Sequence, residues 1–200
     1  MQLSKTVLIA AVIAAVLFFA TDLLGLARWK GYDYIHQSVS DLTAIGSPAR
    51  AWAVPLTLGH NLALLLAGVA IWLLPGRNIA LRVTASLLIV TAIAWLAGQL
   101  FPNQVGESPA RSSPIVILGA TAVVASVLMI AFGAAAFSGW FRIVSIGVLA
   151  AFAVLTVLGF LQASPRVGLQ ERVFSYVTIG WMVLLGVAAV IERAGQPAAS

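Results

Sequence analysis

Six stretches of the chain are nearly unbroken runs of apolar residues, and the polar residues collect between them. They cover Thr6 to Ala27, Ala53 to Leu74, Val83 to Phe101, Ile115 to Phe137, Ile143 to Leu161 and Val173 to Ile191. Each approximates the 20 or so residues that carry an α-helix across the hydrocarbon of a bilayer. Only the first contains an acid, Asp22. Alternation with a period of two is missing, and lipid leaves no partner for unpaired backbone, so the runs predict helices rather than barrel strands. The expectation is an all-α polytopic membrane protein: six transmembrane helices in one bundle, a single domain over residues 1–200.

Local signals refine this outline. The first run follows Lys5 as a leader peptide would, but it is long and Phe18-Phe19-Ala20 offers no small-x-small cleavage site, so a retained helix is expected. Ala10 with Ala14, Ala63 with Ala67, and Ala94 with Gly98 place small residues four apart, where two helix backbones can approach closely. Pro55 is expected in the first turn of the second helix, and Ser113-Pro114 reads as an N-cap followed by a first-turn proline. Between the first two runs, Tyr34, Ile35, Ser38, Val39 and Leu42 recur at helical spacing. They predict a short helix lying in the interface, ended by Gly46 and Pro48. That segment is too apolar for a solvated linker and should pack over the bundle.

Composition supports the same solvent. The chain is 62% hydrophobic and 8% charged, whereas a water-soluble domain has about 25% charged residues on average. Its formal charge of +5 comes from residues scattered one or two per loop, which suits headgroups and excludes a nucleic-acid patch. With no cysteine, thiolate metal sites and disulfides are excluded, and two histidines make a bis-histidine haem an unsuitable reading. No metal and no cofactor are expected.

Six crossings put the loops on two faces. The face that carries both termini, called here the terminal face, has short connections. The opposite, loop face has the segments Arg28 to Trp52, Pro102 to Pro114 and Gln162 to Arg172, and with them most of the unusual sequence. Lysine and arginine divide five to the terminal face and six to the loop face. The loop face also holds five acids, so both termini are expected in the cytoplasm.

Tyr32, Ser40-Asp41-Leu42, Gly46-Ser47-Pro48, Phe101-Pro102 at the end of the third helix, and Gly168-Leu169-Gln170-Glu171-Arg172 before the sixth follow one another across the whole chain. In this order they resemble the bacterial membrane family called domain of unknown function 998. More distantly, a Ser-Asp motif after the first helix is similar to the damage-regulated autophagy modulator and Frag-like lipid-handling proteins. The resemblance implies a six-helix protein of the bacterial cytoplasmic membrane with no assigned activity. Two departures stand out. The family pattern often has a histidine near the start of the fourth helix, where this chain reads Ser113 to Gly119 without one, and Thr43 stands where glycine is usual. No acid–base or metal role is expected from the fourth helix.

Ionisable and amide side chains inside membrane helices are costly and normally face a bundle interior or a water cavity. Asp22, His60, Asn61, Gln99, Arg172 and Tyr176 all fall in the loop-face half. With Ser40 and Asp41 above them they predict a shared polar vestibule, in which Asp22 pairs with Arg172. Ser47-Pro48-Ala49-Arg50 recurs as Ser108-Pro109-Ala110-Arg111, and in shortened form as Ser164-Pro165-Arg166, at spacings of 61 and 56 residues. Arg50, Arg111 and Arg172 meeting at one mouth would hold an anionic headgroup. The leading expectation is a protein that binds a membrane lipid or a small ligand, an anionic one included. The alternatives are a membrane enzyme using Asp41, Asp22 or His60 as acid or base, and an accessory subunit whose loops dock a partner membrane protein. No nucleophile elbow, phosphate loop or zinc-helix signature is present.

Overall fold

The computed structural model describes residues 2–74, 76, 78–106, 113–161 and 166–194, the side chains of 158–161 and 192–194 excepted. Among these residues the six predicted runs form six helices: α1 (Gln2–Arg28), α2 (Arg50–Trp72), α3 (Ile79–Gly98), α4 (Pro114–Ala136), α5 (Trp140–Leu161) and α6 (Val167–Ala194). Each is long and apolar enough to cross a membrane. Their outward positions remain apolar, as with Ile9, Val16 and Leu23 along one stripe of α1. In water such a surface would aggregate; in lipid it is solvated.

Helix ends depart from the expected ones in instructive ways. α2 begins at Arg50 rather than Ala53. Pro55 therefore lies in the second turn, where it cannot donate to the Ala51 carbonyl, and not in the first. Ser113 is the N-cap of α4 with Pro114 at the first helical position, but the Ser113 hydroxyl makes no capping bond. The largest difference is α6, which starts at Val167 and so includes Gln170, Glu171 and Arg172. A hydropathy reading ends a span at such charges; here their burial against other groups lets the helix run on.

α6, α1, α2, α3 and α4 pack in succession around a centre, and α5 closes the ring between α4 and α6. The terminal-face half is solid. Gly186 admits the backbone of Leu8, and Gly133 lies so close to the Trp181 ring that an added Cβ would fall 2.4 Å from it. Trp181 is buried and donates through Nε1 to the Ser145 hydroxyl at 2.8 Å. Ala10, Ala14, Ala63, Ala67, Ala94 and Gly98 are all buried, as their spacing predicted. Asn78 clamps the turn into α3: its carbonyl accepts from Leu81 N–H at 3.1 Å while its Nδ2 donates to the Ala136 carbonyl at 2.8 Å.

The long first loop covers the other end. Its helical part is a 3-10 helix, Val39–Thr43, shorter than the predicted interfacial helix, and its left-handed Gly46 (φ 85°) turns the chain toward α2. Ser38 and Asp41 close a capping box: Asp41 Oδ2 accepts from Ser38 N–H at 2.7 Å, and Ser38 Oγ accepts from Asp41 N–H at 3.2 Å. Leu42 is fully buried, its methyl groups against Gly25, among Val39, Ala49 and Ala53. A short bridge joins the loop to the α3–α4 connection: Ile45 N–H donates to the Asn103 carbonyl at 2.7 Å and Val105 N–H to the Ile45 carbonyl at 3.0 Å.

Candidate functional site: a chamber beneath the first loop

Two groups of polar side chains occupy the loop-face half. The first is built on the predicted pair. Asp22 and Arg172 are both fully buried, one on α1 and one on α6. Arg172 Nε lies 3.0 Å from both Asp22 oxygens, and its Nη2 lies 2.8 Å from Oδ1. Nη2 also donates to Tyr32 Oη at 2.6 Å. Nη1 reaches the carbonyls of Tyr34 (2.9 Å), Gln37 (2.8 Å) and Gly168 (3.0 Å). Every guanidinium nitrogen is thus engaged, and Tyr34 lies over its face, ring centroid 3.9 Å from Cζ. Tyr176 Oη completes the shell by donating to Asp22 Oδ2.

A buried ion pair is tolerated only with this degree of satisfaction, because desolvation otherwise exceeds the Coulombic gain. Two of the acceptors are loop carbonyls, so the pair also fastens the loop onto the bundle. Tyr32, which accepts from Arg172, donates in turn to the Ser38 carbonyl at 2.6 Å and so extends the tie across the loop. Burial is the main cause that pushes the Tyr32 phenol above its ordinary range, so it stays a donor. Gly168 makes the close approach possible: a Cβ there would lie 2.1 Å from the Gln37 carbonyl oxygen. At the exposed edge of the loop, His36 Nδ1 meets Asp33 Oδ2 at 2.8 Å, and this bond holds the Asp33 carboxyl below the usual carboxylate range.

The second group surrounds a cavity of about 120 Å³ that α1, α2, α3, α4, α6 and the loop enclose. Its mouth is formed by Ser40, Gln99, Pro102, Asn103 and Glu171. Roughly 10–18 Å further in, at 1.5 Å per helical residue, runs a band of Thr57, His60, Asn61, Thr91, Ser126 and Thr178. The floor is Leu64, Leu88, Met129, Ile179 and Met182. The hydroxyls of the band each donate to the carbonyl four residues back in their own helix, at 2.8–2.9 Å. Their hydrogens are committed and their oxygens remain acceptors.

His60 is held from behind. Its Nδ1 lies 2.8 Å from the Ala14 carbonyl, which can only accept, so Nδ1 carries the hydrogen. In the neutral ring Nε2 is then an acceptor, and among the described residues it has no partner. Asn61 is only 1% exposed, yet its Nδ2 has no hydrogen-bond partner in the structure. Leaving such a donor unpaired costs about 1–3 kcal/mol, and Asn61 is one of the residues that line the cavity.

The ten residues expected to form one vestibule are therefore divided. Ser40, His60, Asn61 and Gln99 line the chamber; Asp22, Arg172 and Tyr176 form the lock beside it; Asp41 caps the 3-10 helix. Arg50 donates to the Thr43 carbonyl and borders a shallow outer surface with Pro48 and Pro55, away from the chamber. Arg111 lies outside the described residues, as do Ser108, Pro109, Ser164 and Pro165 of the repeated motif. The three-arginine mouth thus has Arg172 in an internal lock and Arg50 on the outside. Glu171, Thr57, Thr91, Ser126 and Thr178 were missing from the expected set. A sequence signal did exist for the hydroxyls, one at similar depth in each of several helices, but it is faint among ordinary helical serines and threonines.

The order of motifs along the chain agrees with what comparison finds. The family model described as "Protein of unknown function (DUF998)" matches residues 12–188. The chain belongs to the DUF998 family. Comparison with curated proteins and with solved structures finds no match. For this DUF998 protein the match spans the lock, the loop and the chamber, whose lining residues run from Phe18 to Met182.

Proposed function

We propose that this DUF998 protein binds a small lipophilic molecule with a polar end in the chamber beneath its first loop. One observation carries the reading: a buried, unpartnered amide, Asn61, facing a cavity that five helices and a loop enclose. Native interiors seldom leave such a donor unpaired without a solvent or ligand partner. The lining joins a band of hydrogen-bonding groups to an apolar floor, as a lipophile with a polar end requires. Filling the space tests it. Ser126→Leu should keep the helical circular dichroism and elution profile while stripping the protein of any lipophile extracted with the wild type. Identical extracts from both would refute the reading.

Of the alternatives, a membrane enzyme finds less support in the geometry. Asp22 is bound to Arg172 and Tyr176, Asp41 is a cap, and no nucleophile or acid among the described residues reaches His60 Nε2. An anion held by arginine would need a free guanidinium, and that of Arg172 has no donor left. We infer further that the protein sits in the bacterial cytoplasmic membrane with both termini in the cytoplasm, so that the chamber opens on the outer face. The inference rests on the loop-face arginines: Arg50 and Arg172 are spent on internal bonds, so their presence outside does not count against the positive-inside rule. Alkaline phosphatase fused after Met1 or Ser200 should be inactive and fluorescent protein bright. The reverse at both ends would invert the orientation.

A further inference from the structure

The chamber's hydrogen-bonding groups are unequally divided, and the imbalance specifies a ligand. His60 Nε2 and the oxygens of Thr57, Thr91, Ser126 and Thr178 are acceptors, their own hydrogens being committed elsewhere. Against them stands one free donor at this depth, Asn61 Nδ2, while the Trp95 indole and the amides of Gln99 and Asn103 lie nearer the mouth. No lysine or arginine lines the space among the described residues, and its one acid, Glu171, is at the mouth. At the depth of the band a carboxylate or phosphate would meet acceptors, with no cation to neutralise it. An ammonium at the depth of His60 would be desolvated roughly 10 Å from Glu171, seven residues up α6 from Thr178 at 1.5 Å each. A hydroxyl fits both halves of the inventory because it donates one bond and accepts others.

We propose that the chamber selects an uncharged lipophile bearing a hydroxyl group, whose O–H donates to His60 Nε2 and whose oxygen accepts from Asn61 Nδ2. This rests on the chamber being a binding site at all. Size agrees: protein cavities of roughly 150 Å³ hold a benzene ring, so the enclosed part takes a ring or a short branched chain. The rest of a longer molecule extends through the mouth. Two sources carry the chemistry, a free lipophilic alcohol and the hydroxyl end of a lipid such as a diacylglycerol.

Photo-crosslinking discriminates. Full-length protein in phosphatidylcholine nanodiscs is irradiated with diazirine-bearing decanol, decanoic acid or decylamine, and the labelled residues are mapped by mass spectrometry. The alcohol should label the 57–64 segment of α2 about tenfold more than the acid or amine, the yield of one well-made hydrogen bond. Asn61→Leu, which removes a group that makes no bond within the protein, should reduce the alcohol's labelling to the level of the acid. Competition by nanodiscs containing diacylglycerol would assign the hydroxyl to a lipid, and competition by decanol alone to a free alcohol; either supports the proposal. Equal labelling by all three probes, blocked by Ser126→Leu, would leave a chamber that binds amphiphiles and overturn the hydroxyl assignment. No labelling of α2 above the Ser126→Leu background would overturn both.

Discussion

Replacing Arg172 with leucine should cost about 3–5 kcal/mol, the usual penalty for leaving one member of a buried ion pair alone. Asp22 would remain fully buried with only Tyr176 to donate to it, the Tyr34 carbonyl would lose its partner, and the Gln37 carbonyl would keep only the longer bond from Tyr32. Thermal unfolding in detergent would register the loss. The exposed Arg166→Leu serves as control and should move stability by no more than about 0.5 kcal/mol. The double variant Asp22→Leu with Arg172→Leu separates two roles of the pair. Apolar replacements of buried pairs are often neutral, so most of the stability should return. The loop, however, stays unfastened, and hydrogen exchange over residues 32–45 should remain fast. Full protection of that segment in the double variant would show that the lock does not hold the loop.

Gly168→Ala attacks the same junction without touching a charge. The new methyl would lie 2.1 Å from the Gln37 carbonyl oxygen and 2.7 Å from that of Tyr34, both backbone atoms that cannot swing aside. Alanine favours a helix by about 1 kcal/mol over glycine, so a substitution in a free helix would stabilise. Here the overlap should prevail, with a net loss of about 1–3 kcal/mol and a loop lifted from Arg172. The sign makes the test sharp. Faster exchange over residues 32–45 with lower stability is expected. Higher stability with unchanged exchange would mean that the loop is not seated on Gly168.

The helices were legible because lipid admits so few ways to hide a backbone, and a charge-poor run of sufficient length has little else to become. The Asp22–Arg172 pair was legible for a related reason: two ionisable groups in the same half of the membrane each need a partner. The start of α6 was not legible, because Glu171 and Arg172 look like the water-facing end of a span until their burial is seen. Nor was the division of the vestibule. Sequence places Asp22, Tyr176, His60 and Asn61 at similar depths, but which side of a helix faces the chamber and which faces a neighbour depends on rotation. Mean hydropathy does not report rotation when both faces are apolar. Thr91 and Ser126 illustrate a further limit. Their hydroxyls bond to their own helix and so look inert, although the oxygen left over is what a ligand would meet.

The lock also sets a schedule. Its two halves are 150 residues apart in the chain. At about 5–20 residues per second, ribosomes need roughly 8–30 s between making Asp22 and making Arg172. Throughout that interval the first helix has a carboxyl near one membrane surface without its arginine, and the loop that follows it rests on the first two helices without the ties from the sixth. The loop can be fastened only once the sixth helix has been delivered, so the newborn protein spends its last seconds of synthesis as a bundle with an unfastened top.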